Sequence, residues 1–162
     1  MISTNFSGRH FESDGEEFLN RIQHVLSKYS VRPEYIEIEV TEGVLVKNVA
    51  VLEKCMNRLH EIGFRVAIDD FGTGYSSLSV LADMPADVIK IDKSFIKGMT
   101  EQKKNLLYEI GRMVKILQKD IIIEGVETEE QEQFLKEGGF TCGQGYLCNC
   151  PVPIGDFEKM YL

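Results

Sequence analysis

Two adjacent carboxylates, Asp69 and Asp70, sit where an apolar run of Phe64, Val66 and Ile68 ends and a Gly72-Thr73-Gly74 loop begins. The pattern reads as a strand that stops at a charged pair and opens into a loop. Neighbouring aspartates repel one another and are costly to desolvate unless a cation lies between them. A divalent metal ion meets that need; an exposed turn is the plainer alternative. Further acids fall at matching places. Glu39, Asp92, Glu124 and Glu127 each lie at or just after the end of a strand-like stretch, with Lys90 and Asn5 among them. One acid at a strand end is usually a helix cap or a solvated turn, but successive strands ending this way make a site. Oxygen donors without His or Cys favour Mg2+ or Mn2+ over zinc. A carboxylate shared by two such ions is the layout for in-line attack on phosphate. Lys90, among acids, is expected to stay protonated. There it could hold a nucleophilic water or a phosphate oxygen, or form a salt bridge inside the fold.

The elements that must position these groups follow from periodicity. Residues 1–6 read as a strand with Asn5 near its end. Ser13 and Glu16 form a capping box ahead of a helix whose apolar positions are Phe18, Leu19, Ile22, Val25, Leu26 and Tyr29. In 35–41, Ile36, Ile38 and Val40 alternate with Glu37, Glu39 and Thr41, the period of a strand. A helix is expected over 48–62 with Gly63 as its stop, then the Asp69-Asp70 strand, then a short helix over 76–83. A strand over 87–92 places Val88, Lys90 and Asp92 on one side. A helix carrying Leu106, Leu107, Ile110, Met113, Val114 and Leu117 leads to a buried strand, Ile121-Ile122-Ile123, that ends at Glu124. Thr128 and Gln131 cap another helix, which stops at Gly138-Gly139. A last strand region over 140–147 and a terminal helix with Phe157, Met160 and Tyr161 complete the chain. Strand and helix alternate at βαβ spacing, which predicts a parallel sheet in one domain. The strand ends then converge on the mouth of a barrel or line the crevice of an open sheet.

Composition bounds what such a site can serve. The chain has 162 residues, enough for one domain with a real core. A net charge of −8 argues against a general nucleic-acid surface, yet metal ions in an acidic site can invert the local field and accept phosphate. No run approaches the ~18 apolar residues of a membrane span, and no basic-then-apolar signal opens the chain, so a cytoplasmic location is the default. Cys55, Cys142, Cys148 and Cys150 lack zinc-knuckle spacing and read as reduced thiols. His10, His24 and His60 belong to no ligand pattern.

Taken together, the motifs resemble those of the EAL-domain cyclic-di-GMP phosphodiesterases. The Asp-Asp-Phe-Gly-Thr-Gly-Tyr-Ser-Ser-Leu loop stands unbroken at 69–78. Glu39-Val40-Thr41-Glu42, Lys90-Ile91-Asp92, Glu124-Gly125-Val126-Glu127-Thr128, Gln144-Gly145-Tyr146-Leu147 and Asn5-Phe6-Ser7 match the remaining motifs in order. The resemblance implies a TIM-like (β/α) barrel that opens cyclic-di-GMP to linear pGpG with two Mg2+ or Mn2+ ions. It implies Asn5, Glu39 and Asp69 on the first ion, Asp69 bridging to the second, and Asp70 on that second ion. Lys90 would hold the attacking water, and Glu124 would act as base or orient water. Glu127 and Gln144 would complete the metal and water shell. Glu42 would anchor the Asp-Phe-Gly-Thr-Gly loop, which in the family links the site to a dimer interface.

The chain departs from the family in one large respect. The Glu-Ala-Leu motif, which supplies a ligand of the first ion, lies on an earlier strand than any here. A (β/α)8 barrel typically needs ~250 residues, so an incomplete barrel of about six of eight βα units is expected, lacking the N-terminal portion of the domain. Its two outer strands, carrying Asn5 and Gln144, should be left unpaired, which predicts self-association. A sensory or GGDEF-type domain is the expected upstream partner. A catalytically inactive cyclic-di-GMP-binding or protein-interaction module is the alternative reading, because one ligand is missing. A Schiff-base aldolase using Lys90 is disfavoured, since that chemistry needs a depressed lysine pKa.

Overall fold

The computed structural model describes residues 1–7, 16–45, 49–74 and 77–161. Six strands form one sheet: β1 (Ile2–Phe6), β2 (Ile36–Thr41), β3 (Arg65–Phe71), β4 (Val88–Ile91), β5 (Asp120–Glu124) and β6 (Gly143–Gln144). All neighbours are parallel, and the order across the sheet is the order along the chain. A doubly wound sheet reverses its order at a switch point; a barrel does not. The sequential order therefore selects the barrel over the open sheet, and the expected incomplete TIM-like barrel is what forms.

The connections are α1 (Glu16–Tyr29), α2 (Glu42–Leu45), α3 (Val49–Ile62), α4 (Leu78–Asp83), α5 (Glu101–Ile116), α6 (Glu129–Glu137) and α7 (Ile154–Tyr161). Their starts follow local chemistry. Ser77 accepts from Val80 N to open α4, and Thr128 with Gln131 forms a reciprocal capping box on α6. The capping box expected at Ser13 lies outside the described residues, as do Tyr75 and Ser76.

The strands divide their side chains between two environments. Ile38, Val40, Val66, Ile68, Ile89, Ile91 and Ile123 are buried in one hydrophobic core with Leu52, Met56 and Leu59 of α3, Leu81 of α4, Leu107 and Val114 of α5, and Phe134 and Leu135 of α6. Truncating any of these to Ala costs about 2–5 kcal/mol by loss of transfer energy and cavity formation. The opposite face mixes the buried apolar Ala67 and Val88 with polar side chains. It carries Glu37, Glu39, Arg65, Asp69, Lys90 and Glu124, where a complete barrel usually stacks branched apolar residues.

One expected element is much shorter than its sequence indicates. The strand over 140–147 is reduced to Gly143–Gln144. Phe140 instead packs against Gly111, Gly138 and the Tyr108 ring. Beyond Gln144 the chain turns: Cys148 N donates to Gly145 O at 3.1 Å, and Leu147 N donates to Val126 O at 3.0 Å. Gly145 lies so close to the Val126 backbone that a Cβ there would collide with it.

Candidate active site

All six strands bring a proposed functional side chain to the same end of the sheet: Asn5 on β1, Glu39 on β2, Asp69 and Asp70 on β3, Lys90 on β4, Glu124 on β5 and Gln144 on β6. Asn5 on β1 stands in register with Glu39, so the two share a face. Lys90 is the centre of the group and only 2% exposed. Its Nζ lies 2.7 Å from Glu39 Oε1, 2.7 Å from Glu124 Oε1 and 3.6 Å from Asp69 Oδ1. Burial alone would push the ammonium pKa down. The hydrogen bonds to Glu124 and Glu39, with the nearby Asp69 charge, more than reverse this and raise it above the usual lysine value. Lys90 is thus held as a cation, as expected, which removes the basis for Schiff-base chemistry.

Carboxylate oxygens of Asp69, Asp70 and Glu124 all lie within 4.8 Å of one another. Strict alternation along β3 would send Asp69 and Asp70 to opposite faces. The register of β3 against β4 shifts between Ile68 and Phe71, and Asp70 adopts φ 56, a left-handed conformation. This bulge lets two consecutive carboxylates serve one site. Burial and the Asp69 charge raise the Asp70 pKa, and burial raises that of Glu124 against the opposing pull of Lys90. Asp69 Oδ1 is buried with no hydrogen-bond partner among the described residues. The Lys90 ammonium lies 3.6 Å from that oxygen but is already hydrogen-bonded to Glu39 and Glu124, so one cation is shared among converging carboxylates, and the charged forms of Asp70 and Glu124 stay disfavoured. The donor set, all oxygen, fits Mg2+ or Mn2+.

The loop after Asp70 is fixed from below. Glu42, 2% exposed, accepts Gly72 N at 2.8 Å and Gly74 N at 3.0 Å through Oε2. Gly72 has φ 96, and any Cβ there would enter the Phe95 ring. Phe95 ends the short turn that follows β4, so that turn packs against the loop after Asp70. Sequence reasoning had no signal for Phe95, whose partner is 23 positions away.

Other expected residues take distinct places. Glu127 is exposed and lies outside the three-carboxylate group. It lines an adjoining cleft with Glu124 and Gln144. Asp92, one of the acids at strand ends, caps the next turn by accepting Ser94 N at 2.9 Å. Burial works against its charge, but the Ser94 hydrogen bonds outweigh this and hold the carboxyl below its usual range. At the opposite end of the sheet a second polar network was not anticipated. Ser3 Oγ donates to Glu37 Oε1 at 3.1 Å, and the Arg65 guanidinium reaches Asp120 at 2.6 Å and Glu37 at 3.8 Å. The period-two pattern could have found it, because Glu37 precedes Glu39 by two residues on the same face.

Residues 1–151 match the family model described as the EAL domain. Over 143 residues, 87% of its length, the chain is 36% identical to the cyclic di-GMP phosphodiesterase NbdA of Pseudomonas aeruginosa, and it covers 18% of that protein. It aligns with the PaMucR phosphodiesterase in its c-di-GMP complex at a TM-score of 0.87 and 33% identity, over 96% of this chain and 69% of that one. With the manganese/cy-diGMP complex of Klebsiella pneumoniae BlrP1 the TM-score is 0.82 at 28% identity, over 91% of this chain and 38% of that one. The chain spans about a fifth to a quarter of the length of the curated relatives it matches.

Proposed function

Because the chain belongs to the EAL-domain family, we propose that it carries the catalytic apparatus of a metal-dependent phosphodiesterase that opens cyclic-di-GMP to linear pGpG. The observation that bears most weight is the convergence of the Asp69, Asp70 and Glu124 carboxylates, one Asp69 oxygen buried and accepting no hydrogen bond, beside a lysine held as a cation. Asn5, Glu39, Asp69, Asp70 and Glu127 would hold two Mg2+ or Mn2+ ions, with Asp69 shared between them. When bound, the ions supply Lewis-acid polarisation of a phosphoryl oxygen and activation of water.

The protein's own groups then divide the remaining work. Lys90 donates hydrogen bonds to the attacking water or to a phosphate oxygen, as its position between Glu39 and Glu124 allows. Glu124, whose carboxyl pKa is raised by burial, is the group suited to accept the water's proton. Gln144 orients that water from β6. Glu42 keeps Asp70 in place by holding the two loop amides.

On this reading the chain is a single EAL-type domain in the cytoplasm, self-associating, with a sensory or GGDEF-type domain upstream in the full-length protein. Among the described residues no helix is long and apolar enough to cross a membrane. The test is cyclic-di-GMP turnover with Mg2+ or Mn2+, beside Glu39→Ala. Linear product from the wild type, reduced at least about a hundredfold in the mutant, is expected. Binding without product by the folded chain would instead assign a cyclic-di-GMP receptor or interaction module.

A further inference from the structure

Beside the carboxylates, the ends of β5 and β6 frame a cleft of about 230 Å3 lined by Lys93, Glu124, Gly125, Glu127, Gln144 and Tyr146. Glu124 belongs to both the carboxylate group and the cleft, so the two adjoin. The ionisable groups of the cleft are acidic except for Lys93 and the weakly acidic phenol of Tyr146. The Lys93 stem lies against Gly125, which has φ 75 and where any Cβ would collide with the Lys93 Cβ. Unlike Lys90, which two carboxylates hold, the exposed Lys93 ammonium makes no hydrogen bond or ion pair with the described residues, although its charge helps to lower the Asp92 pKa.

A cyclic dinucleotide carries two phosphates, and the carboxylate group with its ions serves only the one that is cleaved. The other is an anion entering the mouth of a chain with net charge −8, and it needs a cation of its own. A lysine ammonium is a compact point charge suited to phosphate. We propose that Lys93 is a substrate-binding residue whose ammonium takes the second, non-scissile phosphate while the first sits over Asp69, Asp70 and Glu124. The proposal rests on the phosphodiesterase reading.

Turnover and equilibrium binding of cyclic-di-GMP are measured side by side on the full chain with Mn2+. The variants are Lys93→Gln, Lys93→Arg and Lys97→Gln. Lys97 is exposed on the same turn and removes the same charge outside the cleft. Lys93→Gln is expected to raise KM and Kd about tenfold with kcat within about twofold. Lys93→Arg and Lys97→Gln should stay near the wild type. A wild type that binds, with Lys93→Gln binding equally well or Lys97→Gln weakened just as much, overturns the role of Lys93 alone. A wild type that does not bind cyclic-di-GMP overturns the functional reading and this proposal together.

Discussion

Asp70 bears two costs at once, a left-handed backbone at φ 56 and a carboxyl whose charged form is disfavoured by burial and by Asp69. Asn tolerates the same backbone conformation without the charge. Asp70→Asn should therefore raise the melting temperature in EDTA by about 2 °C and gain less than the wild type when Mn2+ is added. An unchanged Mn2+ response would remove Asp70 from the ion site. The pH dependence has a definite sign. Asp70 and Glu124 have raised pKa values in the folded chain, so the fold holds more protons than the unfolded chain between the ordinary carboxylate range and those raised values. Their contribution to stability is full below the ordinary range and is lost as pH rises through the raised values. Metal-free melts should lose this contribution on going up in pH. In Mn2+ the sign should invert, because the ions bind the deprotonated forms.

At the scale of elements, the one-turn α2 exists to deliver Glu42 beneath the loop that follows β3. Glu42→Ala would leave the Gly72 and Gly74 amides unsatisfied where the carboxylate is now buried, at a cost of about 2 kcal/mol. It should also lower turnover while leaving Asp69 in place. Denaturant melts and turnover assays check the two effects separately. Gly72→Ala meets both a positive φ and the Phe95 ring, and should destabilise by about 2 kcal/mol. Pairing it with Phe95→Ala relieves the collision but not the backbone strain. The double mutant should thus be more stable than the sum of the two single effects predicts, and simple additivity would show that the two sites do not touch.

At the scale of the molecule, β1 and β6 each pair with one neighbour among the described residues, which leaves both ends of the arc with a free edge. Exposed apolar side chains gather beside them: Ile2 on β1, and Tyr146, Ile154, Phe157, Met160 and Tyr161 after β6. Free edges with apolar flanks favour pairing with another chain. The isolated chain should therefore self-associate as its concentration rises, and a monodisperse monomer in light scattering would count against this.

Much of this arrangement could be read from residue order. Alternation along Ile36–Thr41 sets which side Glu39 faces, and acids recurring at strand ends predict a common mouth, because parallel strands end on the same side. The capping chemistry of Thr128 and Gln131 is likewise local, and so it was legible. What depends on distant partners was not. Whether Asp70 joins Asp69 turns on a bulge against β4, and the shortness of β6 turns on Val126 approaching Gly145. The division of the acids into those that grip Lys90, those that crowd Asp69 and one, Asp92, that caps a turn while its charge still bears on Asp70 follows from register. Periodicity determines a face; only the packed sheet brings faces from different strands to within hydrogen-bonding distance.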